Sequence, residues 1–303
     1  VTCYTPLKAY APLSRANGGA YVFDATKALN PDHPVKIPCQ NCIGCRADKA
    51  EEWAVRCSHE AQMHQCSSFI TLTYDDENLP ADFSVTLREW QLFAKKLRKT
   101  LAGKIRHFAV GEYGTKSFRP HYHALIFGWD FHADRKYYKQ TPDGPLWTSE
   151  QLTSTWGKGH CTLGQVNYKT ANYCTQYLFD LRGGELAANR YIRQHPVTQA
   201  IVRCQPEFSA KSNQPGIGST WFDKFKTDCF PSDFLIVEGK HRPVPQYYLK
   251  KLAEEEQHRI KLDRLPTPQH PAHPERRWNK TKDRLQVRQQ IHASRLAKRK
   301  TSL

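Results

Sequence analysis

Acidic residues are scarce in this 303-residue chain. Aspartate and glutamate total 29 against 45 lysines and arginines, a formal net charge of +16. Such a surface favours polyanions, either nucleic acid or an anionic membrane. Long apolar runs are also missing: no stretch approaches the roughly 18 residues of a membrane span. A basic amphipathic anchor that would lie on lipid is not evident either, so nucleic acid is the expected partner and a membrane is not. No charged-then-apolar leader opens the chain, which reads as cytoplasmic. Internal repeats are absent, which excludes solenoids and propellers.

Ten cysteines are present. Without a leader segment they read as reduced thiols rather than a disulfide framework. Three crowd into Cys39-Gln-Asn-Cys42-Ile-Gly-Cys45, the spacing of soft-metal ligands. Zinc would need a fourth ligand to close a tetrahedral site. Cys3 is the first candidate, with Cys57 or His59 next. Cys57 also falls on the apolar stripe of a helix, where burial is the more ordinary role. Zinc is favoured over an iron–sulfur cluster.

Periodicity supplies the elements. A helical stripe runs from Arg46 to about Gln65, and alternation from Ser67 to Tyr74 predicts a strand. Thr86-Leu-Arg-Glu89 is a capping box that opens an amphipathic helix through Leu101. Lys104–Glu112 and Pro120–Phe127 read as two strands, antiparallel because the turn between them is short. Tyr21–Phe23 and Cys161–Asn167 are further strand candidates, and Thr170–Phe179 reads as a helix. Residues 128–160 show no period and read as an inserted loop. Beyond about residue 241, Pro, His, Lys and Arg dominate. A linker at Pro266–Pro274 leads to a basic run, Arg284–Lys300, suited to phosphate neutralisation.

Two motifs carry chemistry. In Arg119-Pro-His121-Tyr-His123, the two imidazoles share one face of a strand and Tyr122 points to the other. Two imidazoles at that spacing suit one divalent ion, and Glu112 across the turn offers an oxygen ligand that a hard ion such as Mg²⁺ or Mn²⁺ favours. In Tyr173-Cys-Thr-Gln-Tyr177, two phenols stack on one helical face. Either motif alone is more often plain packing. Together they suit cutting a phosphodiester and holding one end on tyrosine.

These segments, in this order, resemble the HUH endonucleases, the rolling-circle replication initiators and relaxases. The resemblance is closer to the replication initiators of gokushovirus-type microviruses. Pro38-Cys-x-x-Cys-Ile-Gly-Cys-Arg46, Glu52-Trp-Ala-Val-Arg-Cys57, His59-Glu-Ala-Gln-Met-His64, Gly111-Glu-Tyr-Gly114 and Pro215-Gly-Ile-Gly218 with Trp221-Phe-Asp-Lys224 carry it. It implies an α+β fold: an antiparallel sheet of about five strands with helices packed on it. It further implies nicking of single-stranded origin DNA through a 5′-phosphotyrosine, leaving a 3′-hydroxyl that primes host replication machinery, polymerase and helicase. No small-molecule substrate is expected. His121, His123 and Glu112 match the metal ligands, and Tyr173 and Tyr177 the nucleophiles.

The expected organisation is a cysteine-rich segment and helix (1–60), an endonuclease domain with insertions (61–240) and a basic extension (241–303). Two positions depart from the family pattern. Tyr122 stands where an aliphatic residue is usual. Gln176 and Phe179 occupy the neighbourhood of a common lysine, so phosphate contacts fall to Lys169, Arg182 and Arg119. Gly216-Ile-Gly218 reads as a turn rather than a phosphate cradle. Trp90, Trp129, Trp147, Trp156 and Trp221 are candidate base-stacking platforms, most of them expected in the core. The competing functions are a non-catalytic zinc-dependent DNA-binding regulator and a metal nuclease that uses water.

Overall fold

The computed structural model describes residues 3–13, 21–101, 103–114, 117–180, 191–263 and 281–300, without the side chains of 177–180, 262 and 297–300. In chain order the strands and helices are β1 (Leu7–Ala9), β2 (Val35–Ile37), α1 (Ile43–Gln62), β3 (Ser67–Thr73), α2 (Leu87–Thr100), β4 (Arg106–Tyr113), β5 (Pro120–Phe127), β6 (Lys136–Thr141) and β7 (Gly144–Thr148). There follow α3 (Glu150–Trp156), β8 (Cys161–Gln165), α4 (Tyr168–Asp180), β9 (Ile192–Gln194), β10 (Ile201–Arg203), β11 (Phe208–Lys211), α5 (Ser219–Cys229), β12 (Phe234–Val237), β13 (Lys240–Pro243), α6 (Gln246–Leu249), α7 (Glu254–Asp263) and α8 (Lys282–Lys300).

The fold is α+β, built on an antiparallel sheet in the order β11-β4-β5-β3-β8-β7-β6. Five of its strands correspond to the expected sheet. The other two, β6 and β7, come from residues 128–160, which are not the inserted loop their sequence suggests. They form a hairpin around Thr141-Pro-Asp-Gly144, where proline presets φ for a tight turn. Helix α3 follows, capped by the Ser149 hydroxyl accepting from Leu152 N at 3.1 Å.

Strand alternation sorts the sheet into two faces. Phe108, Val110, Leu125 and Phe127 join one buried cluster with Ala54 and Cys57 of α1, Ala171 and Cys174 of α4, and Trp221 of α5. Ile70, Leu72, Tyr122, Ala124 and Ile126 join another with Trp90 and Leu97 of α2 and Trp156 of α3. Trp90, Trp156 and Trp221 are therefore core residues, whereas Trp129 and Trp147 are half-buried. Thr86 caps α2 by accepting from Glu89 N at 3.2 Å. The reciprocal half of the box is replaced: Thr86 N donates to the Tyr122 hydroxyl at 3.2 Å, and Glu89 pairs with Lys158.

The far end of β3 is closed by residues 158–160, with Asp75 N donating to Lys158 O and Thr73 N to His160 O, both at 3.0 Å. Gly159 sits there at φ +140°, and a Cβ would lie 2.4 Å from Asp75 N and 2.5 Å from Thr73 O. Gly159→Ala meets both backbone strain and a clash with main chain that cannot swing away. It should cost about 3 kcal/mol, read as a lowered denaturation midpoint.

Residues 50–263, which hold both buried clusters, form one compact unit. The second unit draws on residues 1–49 and 264–303. In it β1 and β2 pair, and the expected Tyr21–Phe23 strand contributes only a single bridge, Tyr10 to Val22. The basic run at the C-terminal end forms α8. No helix among the described residues is long and apolar enough to cross a membrane.

Candidate metal and nucleophile site

Strands β4 and β5 pair with Glu112 opposite His121. The period of two puts Glu112, His121 and His123 on the face that α4 covers. Each imidazole is held from behind. His121 Nδ1 donates to the Arg119 carbonyl at 3.0 Å. A carbonyl only accepts, so in the neutral ring the proton sits on Nδ1 and Nε2 presents a lone pair. His123 Nδ1 pairs with the Thr71 hydroxyl at 2.9 Å. Both Nε2 atoms then face one oxygen, Glu112 Oε1, at 3.0 and 3.1 Å.

That is a cluster of acceptors, and Glu112 is only 2% exposed. Its second oxygen, Oε2, is buried without a hydrogen-bond partner. A buried carboxylate with one orphaned oxygen beside two ring lone pairs needs a cation or a proton between them. Without an ion the histidines supply the proton. Burial alone would raise the Glu112 pKa, but hydrogen bonds from His121 and His123 outweigh it and hold the carboxyl at about 2. For His121 burial works downward, yet the Glu112 bond and charge leave its pKa above the ordinary 6.5. Burial wins at His123, whose pKa falls. The donor set, two nitrogens and one carboxylate with ligand atoms within 4.8 Å of one another, fits a divalent ion.

Helix α4 brings Tyr173 to the same place. The Tyr173 hydroxyl lies 3.4 Å from His123 Nε2. Phe69 stacks on the His123 ring at 5.3 Å and 15°, and meets the Tyr173 ring edge-on at 6.2 Å. Tyr177 stands one turn further along α4, with its side chain outside the described residues; Arg182 also lies outside them. Lys169 is exposed on the first turn of α4, and no hydrogen bond joins it to the trio. The Arg119 guanidinium binds the Tyr74 carbonyl at 2.9 Å and Asp76 at 2.6 Å, so within this chain it is the Arg119 main chain that serves the site. Tyr122 points to the opposite face, where its hydroxyl meets that of Tyr74 at 3.1 Å.

Thr71 and Phe69 are the site residues that motif reading passed over. Their alternation along β3 was visible, but it looked like ordinary strand composition. Thr71→Val keeps the shape and removes the oxygen behind His123. It should weaken Mn²⁺ binding by about 10- to 100-fold, measured by calorimetry, with the thermal midpoint nearly unchanged.

The four candidate zinc thiols, Cys3, Cys39, Cys42 and Cys45, also converge, with sulfurs within 4.8 Å of one another. Cys57 and His59 are elsewhere: Cys57 is wholly buried in the core, and His59 stacks on Trp221 at 3.5 Å with Nδ1 2.9 Å from the Tyr248 hydroxyl. Gly216-Ile-Gly218 is a filled turn. Gly218 N donates to buried Glu60 at 2.7 Å, Arg56 binds the Ile217 carbonyl at 3.0 Å, and a Cβ on Gly218 would meet the Tyr248 hydroxyl at 2.5 Å. An N–H already spent on a carboxylate leaves no phosphate cradle.

Comparison with known proteins agrees with this sheet and site. Residues 67–181, which span β3 to α4, match the family model of the replication-associated protein ORF2. Over 256 residues the chain is 30% identical to the replication-associated protein VP4 of Bdellovibrio phage phiMH2K, covering 81% of this chain and 75% of that one. It is 30% identical over 240 residues to the replication-associated protein ORF2 of Spiroplasma virus 4, covering 75% and 71%. The replication-associated protein ORF4 of Chlamydia phage 1 is 24% identical over 254 residues, covering 77% and 59%. No solved structure matches. An antiparallel α+β sheet with a candidate metal trio beside a tyrosine helix thus falls among replication initiators of the rolling-circle class. The chain belongs to the family of phage replication-associated proteins.

Proposed function

We propose that the protein initiates replication of a phage genome by nicking single-stranded origin DNA and holding the 5′ end on tyrosine. The observation that carries this is the Tyr173 hydroxyl 3.4 Å from His123 Nε2, on the same face as Glu112 and His121. His121, His123 and Glu112 would hold Mg²⁺ or Mn²⁺, which supplies positive charge to a non-bridging phosphate oxygen. Tyr173, having lost its phenolic proton to solvent, forms the new O–P bond. The P–O3′ bond breaks, and the departing oxygen takes up a proton as a free 3′-hydroxyl. One phosphodiester is exchanged for another, so little free energy is lost and the reverse reaction rejoins ends. Tyr177 is the second nucleophile, for a second strand while Tyr173 is occupied. The 3′-hydroxyl would prime host polymerase in the cytoplasm. Lys169, Arg182 and the net charge of +16 are the proposed source of phosphate affinity.

The test is incubation with origin single strands and Mn²⁺. The expected product is a protein–DNA adduct that survives SDS. A nuclease using water would cut without an adduct, and a DNA-binding regulator would bind without cutting.

A further inference from the structure

The unit formed by the two ends of the chain has little to hold it together. Neither buried hydrophobic cluster includes a residue of 1–49 or of the described C-terminal helix. Its regular structure before α1 is a pair of three-residue strands and one turn of 3-10 helix. A segment this poor in core needs another staple.

Four thiols stand where the staple would be. Cys39 and Cys45 sulfurs are 4.0 Å apart, as are Cys3 and Cys42. Four sulfurs bound to one Zn²⁺ at about 2.3 Å lie about 3.8 Å from each other. The polar surroundings suit thiolates rather than thiols. Tyr4 N donates to Cys42 Sγ at 3.3 Å, Cys39 N to Cys3 Sγ at 3.3 Å, Cys42 N to Cys39 Sγ at 3.2 Å, and the Thr5 hydroxyl to Cys39 Sγ at 3.1 Å. Donors converging on sulfur orient the ligands before an ion arrives. The same residues meet α8. The Tyr4 hydroxyl is 3.0 Å from His292 Nδ1, with the two rings edge to face at 5.8 Å. Thr5, Cys39 and Cys42 face Gln289 and Ala293 across a cleft.

We infer that Cys3, Cys39, Cys42 and Cys45 bind one structural Zn²⁺, and that this ion secures the N-terminal segment on which the basic helix α8 rests. The site is separate from the Glu112 trio in ligand chemistry: soft thiolates close zinc's four positions, leaving none open for substrate.

The full chain, purified without chelator, should carry one zinc by mass spectrometry. Grown in cobalt, it should show the strong visible absorption of tetrahedral cobalt thiolate. Cys39→Ser should lose the metal, while Cys66→Ser, outside the cluster, and Glu112→Gln should each keep it. Because Cys39→Ser risks misfolding, the unaltered protein provides a second measurement. A mercurial reagent should release the zinc and make residues 1–49 and α8 protease-sensitive, with residues 50–263 remaining protected. Four freely titrating thiols without metal, a disulfide, or bound iron with sulfide would each overturn the inference. So would unchanged protease protection after zinc release. A Tyr173→Phe chain should carry the same zinc, so this result and the nicking result are independent.

Discussion

Replacing Tyr173 and Tyr177 together by phenylalanine should abolish the SDS-resistant adduct and leave DNA affinity within about twofold, because binding is set by phosphate contacts. Each substitution removes a single oxygen. The Tyr173 ring keeps its edge-on contact with Phe69, and its helix keeps the buried Ala171 and Cys174 anchors, so the fold should survive. Losing the nucleophile should reduce strand cleavage by about 10³-fold or more. Tyr173→Phe alone should account for most of the loss, since its hydroxyl is the one placed at His123 Nε2. Labelled origin DNA on a denaturing gel gives the readout. A full-strength adduct in the double variant would mean that another residue attacks, and the tyrosine assignment would be abandoned.

Glu112→Gln should have the second largest effect. It preserves volume and removes the one charge facing both imidazoles. Mn²⁺ affinity should drop by about 100-fold or more, with cleavage falling alongside. The pH dependence should change with it. In the metal-free protein Glu112 keeps the His121 pKa above 6.5, so an incoming ion must displace a proton there. Affinity should therefore climb with pH and flatten above the raised pKa. In the glutamine variant only burial remains, which depresses His121, so the climb should move to lower pH. Calorimetry from about pH 6 to about pH 9 would show it; an unchanged profile would remove Glu112 from the site. The signs for stability run oppositely in the two partners. His121, raised, stabilises the metal-free fold fully below 6.5, and that contribution is lost as pH climbs through its folded pKa. Glu112, depressed, contributes above 4.5 and loses that contribution as pH falls towards about 2.

Local patterns in the sequence located the functional strands well, for reasons the sheet explains. β5 is buried on both faces but lines them differently, histidines and large apolar side chains on one, Tyr122, Ala124 and Ile126 on the other, so its alternation is clean from Pro120 to Phe127. Glu112 could be placed opposite His121 because a short turn limits the register of β4 and β5. The Thr71 to His123 pairing spans 52 positions, and no local pattern encodes it. The β6–β7 hairpin was hard to read for the opposite reason: β6 is exposed over nearly its whole length, so nothing imposes alternation on it, and only Pro142-Asp143-Gly144 marks the turn. Cysteine spacing likewise identified three thiols, while Cys3, 36 positions before Cys39, became the fourth only through tertiary folding.

The sheet stops at β6, and there its construction bears on solubility. An open strand offers a row of unsatisfied backbone groups to any other extended chain, including another copy of this protein. Lys136 and Lys139 stand along β6, and its register against β7 slips between Tyr137 and Lys139. Charge and irregularity both discourage a further strand from joining. At the opposite end β11 has only four residues, too short a template to recruit much. A seven-stranded array made this way can widen the platform around its metal trio without becoming the seed of an aggregate.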